Sequence, residues 1–260
     1  MDAGQTADDV VTIHHDWDKS DAARLAALTS PRMAWFMGEA MAPGVDPMPR
    51  SKRAFDIAFA LLLLVPLSVV MLIVATLLLI MQGRPILYEA HRMRGPNQPF
   101  TQFKFRTMLQ LDDDGGATGA HKHWRITRLG HVLRRTRIDE LPQLFNILRG
   151  DMSFVGPRPP LREYVERFPA VYAQVLHSRP GVTGLATLIY HRHEDRILAG
   201  CKSAEATEGA YYRRCLPAKL KIDLIYQRHR STRMDLWILW STMKIVISRQ
   251  DERPRRRGRR

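Results

Sequence analysis

Ile57 through Met81 reads IAFALLLLVPLSVVMLIVATLLLIM, 25 residues without a formal charge. That exceeds the ~20 residues a straight helix needs to cross a bilayer, so a single spanning helix is the first reading. Two features oppose it. Pro66, near the middle, lacks the N–H of the helical ladder, and the nearby Ser68 hydroxyl can partner backbone groups freed at a bend. Basic residues also stand on both sides of the run: Arg50, Lys52 and Arg53 before it, and Arg84, Arg92, Arg94, Lys104 and Arg106 after it. Cationic flanks favour one side of a membrane, so both ends are drawn to the same face. The expectation is a helix-break-helix that enters and leaves on one face, with Pro66 and Ser68 at the break. The run starts too late and is too long for a cleavable signal peptide.

A second stretch carries the chemistry. It runs from Arg137-Ile138-Asp139-Glu140-Leu141-Pro142 through Gly150-Asp151-Met152-Ser153 to Gly156-Pro157-Arg158-Pro159. Leu141, Leu144, Phe145, Ile147 and Leu148 fall at helical spacing, Pro142 is tolerated in a first turn, and Gly150 can stop the helix. This places the Asp139–Glu140 dyad at a helix N-terminus, where free backbone N–H groups and the helix dipole favour anions and keep Asp139 ionised. Simple helix capping is the alternative for an isolated Asp-Glu pair. The context favours more than capping. Arg134, Arg135 and Arg137 precede the dyad, and Gly156-Pro157-Arg158-Pro159-Pro160 is a stiff turn that can hold a guanidinium for phosphate contacts. Carboxylates, cations and a rigid turn together point to phosphoryl chemistry.

These blocks resemble the bacterial sugar transferases, monotopic phosphoglycosyl transferases that load a sugar phosphate onto a polyprenyl phosphate. Further blocks agree in order: Lys52-Arg53 with Phe55-Asp56, Lys104-Phe105-Arg106-Thr107-Met108, Arg125-Ile126-Thr127-Arg128-Leu129-Gly130, Arg179-Pro180-Gly181-Val182-Thr183-Gly184, and Asp223-Leu224 with Tyr226, Ser231 and Asp235-Leu236. The likeness covers roughly 50–247. It departs from the family at the membrane break, where a Ser-Pro pair is usual and this chain has Pro66, Leu67 and Ser68, and at Thr187, where glutamine is common.

The resemblance implies an α+β, mostly helical fold: one re-entrant membrane helix (50–83), a cytoplasmic catalytic domain (84–248) with interfacial amphipathic helices, a variable N-terminal extension (1–49) and a basic tail (249–260). It implies transfer of a sugar-1-phosphate from a UDP-sugar to undecaprenyl phosphate at the bacterial inner membrane, with release of UMP. Asp139 is then the nucleophile, Glu140 a ligand of Mg²⁺, Arg158 the first candidate phosphate clamp, and Arg134, Lys104 and Arg106 further candidates. The transferred sugar is not legible, and a homo-oligomer is left open.

Composition agrees with such a role. The 260 residues carry a net charge of +14, distributed unevenly: the first fifty hold eight acids against four bases, and the last eight include six arginines. A body this basic attracts anionic lipid headgroups, phosphorylated substrates or nucleic acid. The apolar run favours anionic lipids, and no nucleic-acid partner is expected. A non-enzymatic membrane scaffold held by charge alone is the rival reading; it predicts steep salt dependence and indifference to Asp139→Asn.

Met234 to Ile247 has an apolar helical pattern with Trp237 and Trp240 but is too short and too interrupted to span. It is expected to lie in the interface beside a basic helix around Lys219 to Arg230, with a plain core helix as the alternative. Cys201 and Cys215 are expected to be free thiols. The pairs His121/His123 and His191/His193 lack supporting ligands and read as surface or hydrogen-bonding residues; His191 to Asp195 could also line a sugar pocket. Asp112 to Gly116 reads as a mobile acidic loop.

Overall fold

The computed structural model describes residues 49–109, 123–201 and 203–251. The N-terminal extension, the Asp112 to Gly116 loop, His121 and the arginine tail from 252 onward lie outside them. The fold is mostly helical with two small sheets.

Helix α1, Arg50–Gln82, takes in the whole apolar run. It is helical through Pro66, so the expected interruption of secondary structure is absent; the Ser68 hydroxyl instead donates to the Val65 carbonyl (2.7 Å) one turn back. Neighbouring turns carry the helix past one missing N–H. Its inward positions recur at helical spacing: Asp56, Ala60, Met71, Val74 and Leu78 are buried, and Phe59, Leu63, Leu64 and Leu67 pack on the core between them. The opposite face is equally apolar but bare, with Val65 75% and Ile80 76% exposed beside Leu62, Val69, Leu72 and Ile73. The helix is long and apolar enough to cross a membrane.

Both ends of α1 are tied to the same domain. Near its start, Arg53 donates to the carbonyls of Ile147 and Leu148 (2.5 and 2.7 Å), and Lys52 pairs with Asp235, whose other oxygen accepts from the Tyr226 hydroxyl (2.7 Å). At its end, Arg106 donates to the carbonyls of Gln82, Gly83 and Arg84 (2.6, 2.8 and 3.3 Å). The Gln82 carbonyl is the last, otherwise orphaned, acceptor of the helix, and those of Gly83 and Arg84 follow it at the cap and beyond.

Strands β1 (Leu87–Gly95) and β2 (Gln98–Phe105) form an antiparallel hairpin turned at Pro96-Asn97. Helix α2 (Arg128–Thr136) begins at Thr127, whose hydroxyl accepts from the Gly130 N–H (2.9 Å). Helix α3 (Gln143–Arg149) stops at Gly150, which adopts φ 88° and donates to the carbonyls of Asn146 and Ile147. Strand β3 (Ser153–Val155) pairs in parallel with β4 (Gly181–Thr183). Helices α4 (Arg162–Arg167) and α5 (Pro169–Val175) lie between these strands in sequence. After β4 come α6 (Leu185–Ala199), α7 (Ala204–Ala210), a single π-turn at Tyr211–Cys215, α8 (Leu216–His229) and α9 (Thr232–Asp251). The π-turn precedes Pro217, which cannot donate to an i−4 carbonyl, so the ladder shifts and the Leu216 N–H reaches Tyr211.

The basic helix expected at the interface is a core element. Leu216, Leu220, Ile222, Leu224 and Tyr226 of α8 are buried, and so are Lys219 and Asp223. Charge misled here because Lys219 is neutralised from another helix by Glu194 (2.8 Å). Helix α9 has two unlike faces: Asp235 and Ile238 face inward, while Leu236, Trp237, Trp240, Met243 and Ile247 form an exposed apolar stripe with Lys244 over the Trp240 ring.

Candidate active site

Arg137 ends α2 in the left-handed conformation (φ 61°), which costs a non-glycine residue about 1 kcal/mol. It turns the chain into a 3₁₀ turn, Ile138–Glu140, that holds the dyad. The dyad therefore does not stand at the N-terminus of α3. Pro142 occupies the cap position there, and no side chain caps α3. Ile138 and Leu141 pack against the cluster of Met71, Leu78, Phe105 and Leu133, fixing the carboxylates between them. Asn146 clamps α3 to β2: it accepts from the Phe103 N–H (3.0 Å) and donates to the Thr101 carbonyl (2.7 Å). Lys104 is thereby set above the dyad.

The two carboxylates have opposite electrostatic fates. Glu140 Oε1 accepts from Lys104 (3.0 Å) and Arg137 (3.3 Å). Burial pushes its carboxyl up, but Lys104, Arg137 and the more distant Arg158 outweigh that and hold it below the usual range. Asp139 is 8% exposed, its Oδ1 is fully enclosed, and neither oxygen accepts a hydrogen bond among the described residues. Burial, reinforced by the adjacent Glu140 charge, pushes its carboxyl up to about 6 against the pull of Lys104, Arg137 and Arg134. The expected helix-terminus assistance to ionisation is absent, because the dyad lies in its own turn before α3. At neutral pH Asp139 is still mostly ionised, and it is poorly solvated. Such a carboxylate is a strong candidate nucleophile.

A family model of the bacterial sugar transferases matches residues 48–249, most of the chain and all of this site. The chain belongs to the bacterial sugar transferase family. This transferase is 34% identical over 214 residues to a UDP-glucose:undecaprenyl-phosphate glucose-1-phosphate transferase of Caulobacter vibrioides, covering 79% of the chain and 72% of that relative. It is 32% identical over 203 residues to a UDP-N-acetylgalactosamine-undecaprenyl-phosphate N-acetylgalactosaminephosphotransferase of Aeromonas hydrophila, over 76% of the chain but only 44% of that longer protein. It is also 40% identical over 151 residues to the exopolysaccharide production protein ExoY of Sinorhizobium fredii, over 52% of the chain and 67% of that protein. The match places the chain among phosphoglycosyl transferase enzymes.

Within the transferase, the remaining expected site residues separate. Arg134 donates to the Thr107 hydroxyl (2.8 Å) and adds to the field on Asp139. Arg158 is exposed on its proline-bounded turn and close enough to Glu140 to stabilise its charge. Arg106 is committed elsewhere, buried against the end of α1. Two residues belong to the site that sequence reasoning did not place there: Arg137, through its contact with Glu140, and Arg92. Burial and the neighbouring Arg158 depress the guanidinium of Arg92, which has no ion-pair or hydrogen-bond partner among the described residues. The Arg92 and Arg158 guanidiniums line one cavity, an arrangement that can take an anion.

Among the described residues no group of three or more His, Cys, Asp or Glu side chains is arranged to hold a metal. His191 and His193 lie on α6, not on a strand; His193 packs on Tyr190 and His191 contacts the Leu188 carbonyl. Both cysteines are free, and burial pushes the Cys215 thiol up to about 12.

Proposed function

We propose that this transferase moves a sugar-1-phosphate from a UDP-sugar to undecaprenyl phosphate, the initiating step of polysaccharide synthesis, through a covalent phosphosugar on Asp139. The reading rests on one observation above others: two adjacent carboxylates, one ion-paired and one left without a partner beside three cations. The unpaired carboxylate attacks the sugar-bearing phosphorus and the bond to the nucleotide phosphate breaks, releasing UMP. A phosphate oxygen of the lipid then attacks the same phosphorus, and the Asp139–phosphorus bond breaks to restore the carboxylate. Arg158 and Arg92 clamp the diphosphate, and Lys104 and Arg134 keep the site cationic as charge passes through it.

Mg²⁺ belongs to this proposal, and the donor set suits it. Only Oε1 of Glu140 carries the Lys104 and Arg137 contacts, so its second oxygen can serve as a ligand beside the substrate diphosphate and water, the hard oxygen donors that magnesium takes. When bound there, it screens the diphosphate charge.

A membrane setting accounts for the bare apolar face of α1 and the tryptophan stripe of α9. Attachment of both ends of α1 to one domain supports a helix that enters the inner membrane from the cytoplasmic face and returns by bending at Pro66 without losing its helical ladder, so that the domain meets a lipid phosphate at the interface. The anionic lipids of that leaflet suit the basic body.

The deciding assay is UMP release by purified, detergent-held transferase from a panel of UDP-sugars with undecaprenyl phosphate and Mg²⁺. Release that requires one sugar and the lipid phosphate supports the reading; no release from any donor by folded protein contradicts it. Two predictions accompany it. Because the Asp139 carboxyl sits at about 6 and only the ionised form attacks, kcat/KM is expected to halve near pH 6 and fall about tenfold per pH unit below it. A profile flat to pH 4.5 would show that another group does the chemistry. Arg158→Lys is expected to lower kcat/KM about tenfold or more, because one ammonium cannot reproduce the guanidinium fork; unchanged kinetics would remove Arg158 from the clamp.

A further inference from the structure

A cavity of about 200 Å³ opens at Arg158, whose guanidinium also acts on Glu140 of the dyad. Its lining includes exposed Arg158, half-buried Arg92, Glu194 of α6 and Tyr211 of the π-turn, and buried Lys219 and Asp223 of α8. Lys219 is spent on Glu194 (2.8 Å) and lies 5.4 Å from the Tyr211 ring centre. Asp223, one turn along, is 6% exposed; its Oδ1 is fully enclosed and it accepts no hydrogen bond among the described residues. Burial pushes its carboxyl up to about 7, with only Lys219 opposing. A buried acceptor without a donor is costly, of the order of 1–3 kcal/mol, and a ligand that brings a donor removes the cost.

The lining has a polarity. Unpaired guanidiniums hold its exposed side and an unpaired carboxylate its buried side, so it suits a molecule with an anionic end and a hydroxyl-rich end. A uracil ring offers a carboxylate a single donor, N3–H, flanked by two carbonyls that repel it, whereas a pyranose ring offers hydroxyl donors at almost every carbon, and the volume suits one such ring. We propose that this cavity holds the sugar ring of the donor, with Asp223 accepting a hydrogen bond from a ring hydroxyl while Arg92 and Arg158 keep the attached diphosphate facing Asp139. The inference rests on the phosphoglycosyl-transfer reading and assigns a sugar-selecting residue that the reading itself does not need.

The test compares wild type, Asp223→Ala and, should that variant fold poorly, Asp223→Asn, using UDP-glucose, UDP-N-acetylgalactosamine and UDP. With whichever sugar is accepted, the variant is expected to raise KM by about 10- to 100-fold and to leave inhibition by UDP, which lacks the sugar, within twofold. Calorimetric titration should show the same loss for UDP-sugar and none for UDP. Equal weakening of UDP and UDP-sugar, or no change in either, would overturn the assignment. A wild type that binds UDP-sugar and never releases UMP would defeat the transfer reading, while the binding comparison would still decide the cavity.

Discussion

Asp139→Asn is expected to lose transfer by at least about 10³-fold and to gain stability in the same step. An amide keeps the shape of the carboxylate but cannot form the acyl phosphate. The stability gain follows from the raised carboxyl, at about 6 when folded against 3.8 ordinarily. Between those values the folded state holds the proton more tightly than the unfolded chain, so stability falls as pH rises from about 4 to about 6 and the deficit persists above 6. Keeping the buried carboxylate ionised therefore costs the folded state about 3 kcal/mol at neutral pH. Some of this returns through relaxation, so the variant should be about 2 kcal/mol more stable at pH 7.5, with the gap closing toward pH 4. Denaturant midpoints at several pH values measure it. A less stable variant would mean that the carboxylate holds the fold together and is not poised against it.

Gly156→Ala is expected to unfold or badly loosen the protein, at a cost of about 3 kcal/mol or more. A Cβ on Gly156 would lie 2.2 Å from the Arg179 carbonyl oxygen and 2.9 Å from the Gly181 nitrogen; one on Gly181 would lie 2.2 Å from the Gly156 nitrogen, and one on Gly184 2.1 Å from the Gly156 oxygen. All of these neighbours are backbone and cannot swing aside. The three glycines let β3 and β4 meet at the Gly156 N–H to Thr183 carbonyl bond (3.0 Å) and the Gly181 N–H to Pro157 carbonyl bond (2.9 Å). Those bonds anchor the turn that presents Arg158, so any folded fraction should also lose turnover. Wild-type melting and kinetics in Gly156→Ala would refute this account of the junction.

Sequence and structure agree where information is local. The length and apolar character of α1, the stop at Gly150 and the tryptophan face of α9 all follow from spacing, helix-stop chemistry and hydropathy. The dyad was legible as chemistry but not as geometry, because the left-handed Arg137 that sets it in its own turn is not a residue type that announces such a conformation. Partners distant in sequence were not legible at all. Lys104 and Arg106 look alike, yet β2 ends between them, and one reaches Glu140 while the other caps α1. The lysine and arginine content of α8 hid a core helix because Glu194, which neutralises Lys219, lies 25 positions away. Gly156, Gly181 and Gly184 stood out as motif residues, but their mutual contact, the physical reason for glycine, needs the strands in place.

The central claim is that Asp139 becomes covalently bonded to the sugar phosphate. Intact-protein and peptide mass spectrometry after brief acid-free quenching, with the accepted UDP-sugar, Mg²⁺ and no lipid acceptor, tests it most directly. The account predicts a mass increase of one sugar phosphate on the peptide containing Asp139, discharged on adding undecaprenyl phosphate and absent in Asp139→Asn. UMP release with lipid present, but with no adduct in its absence at any quench time and none trapped by Glu140→Gln, would contradict it in favour of direct attack by the lipid phosphate.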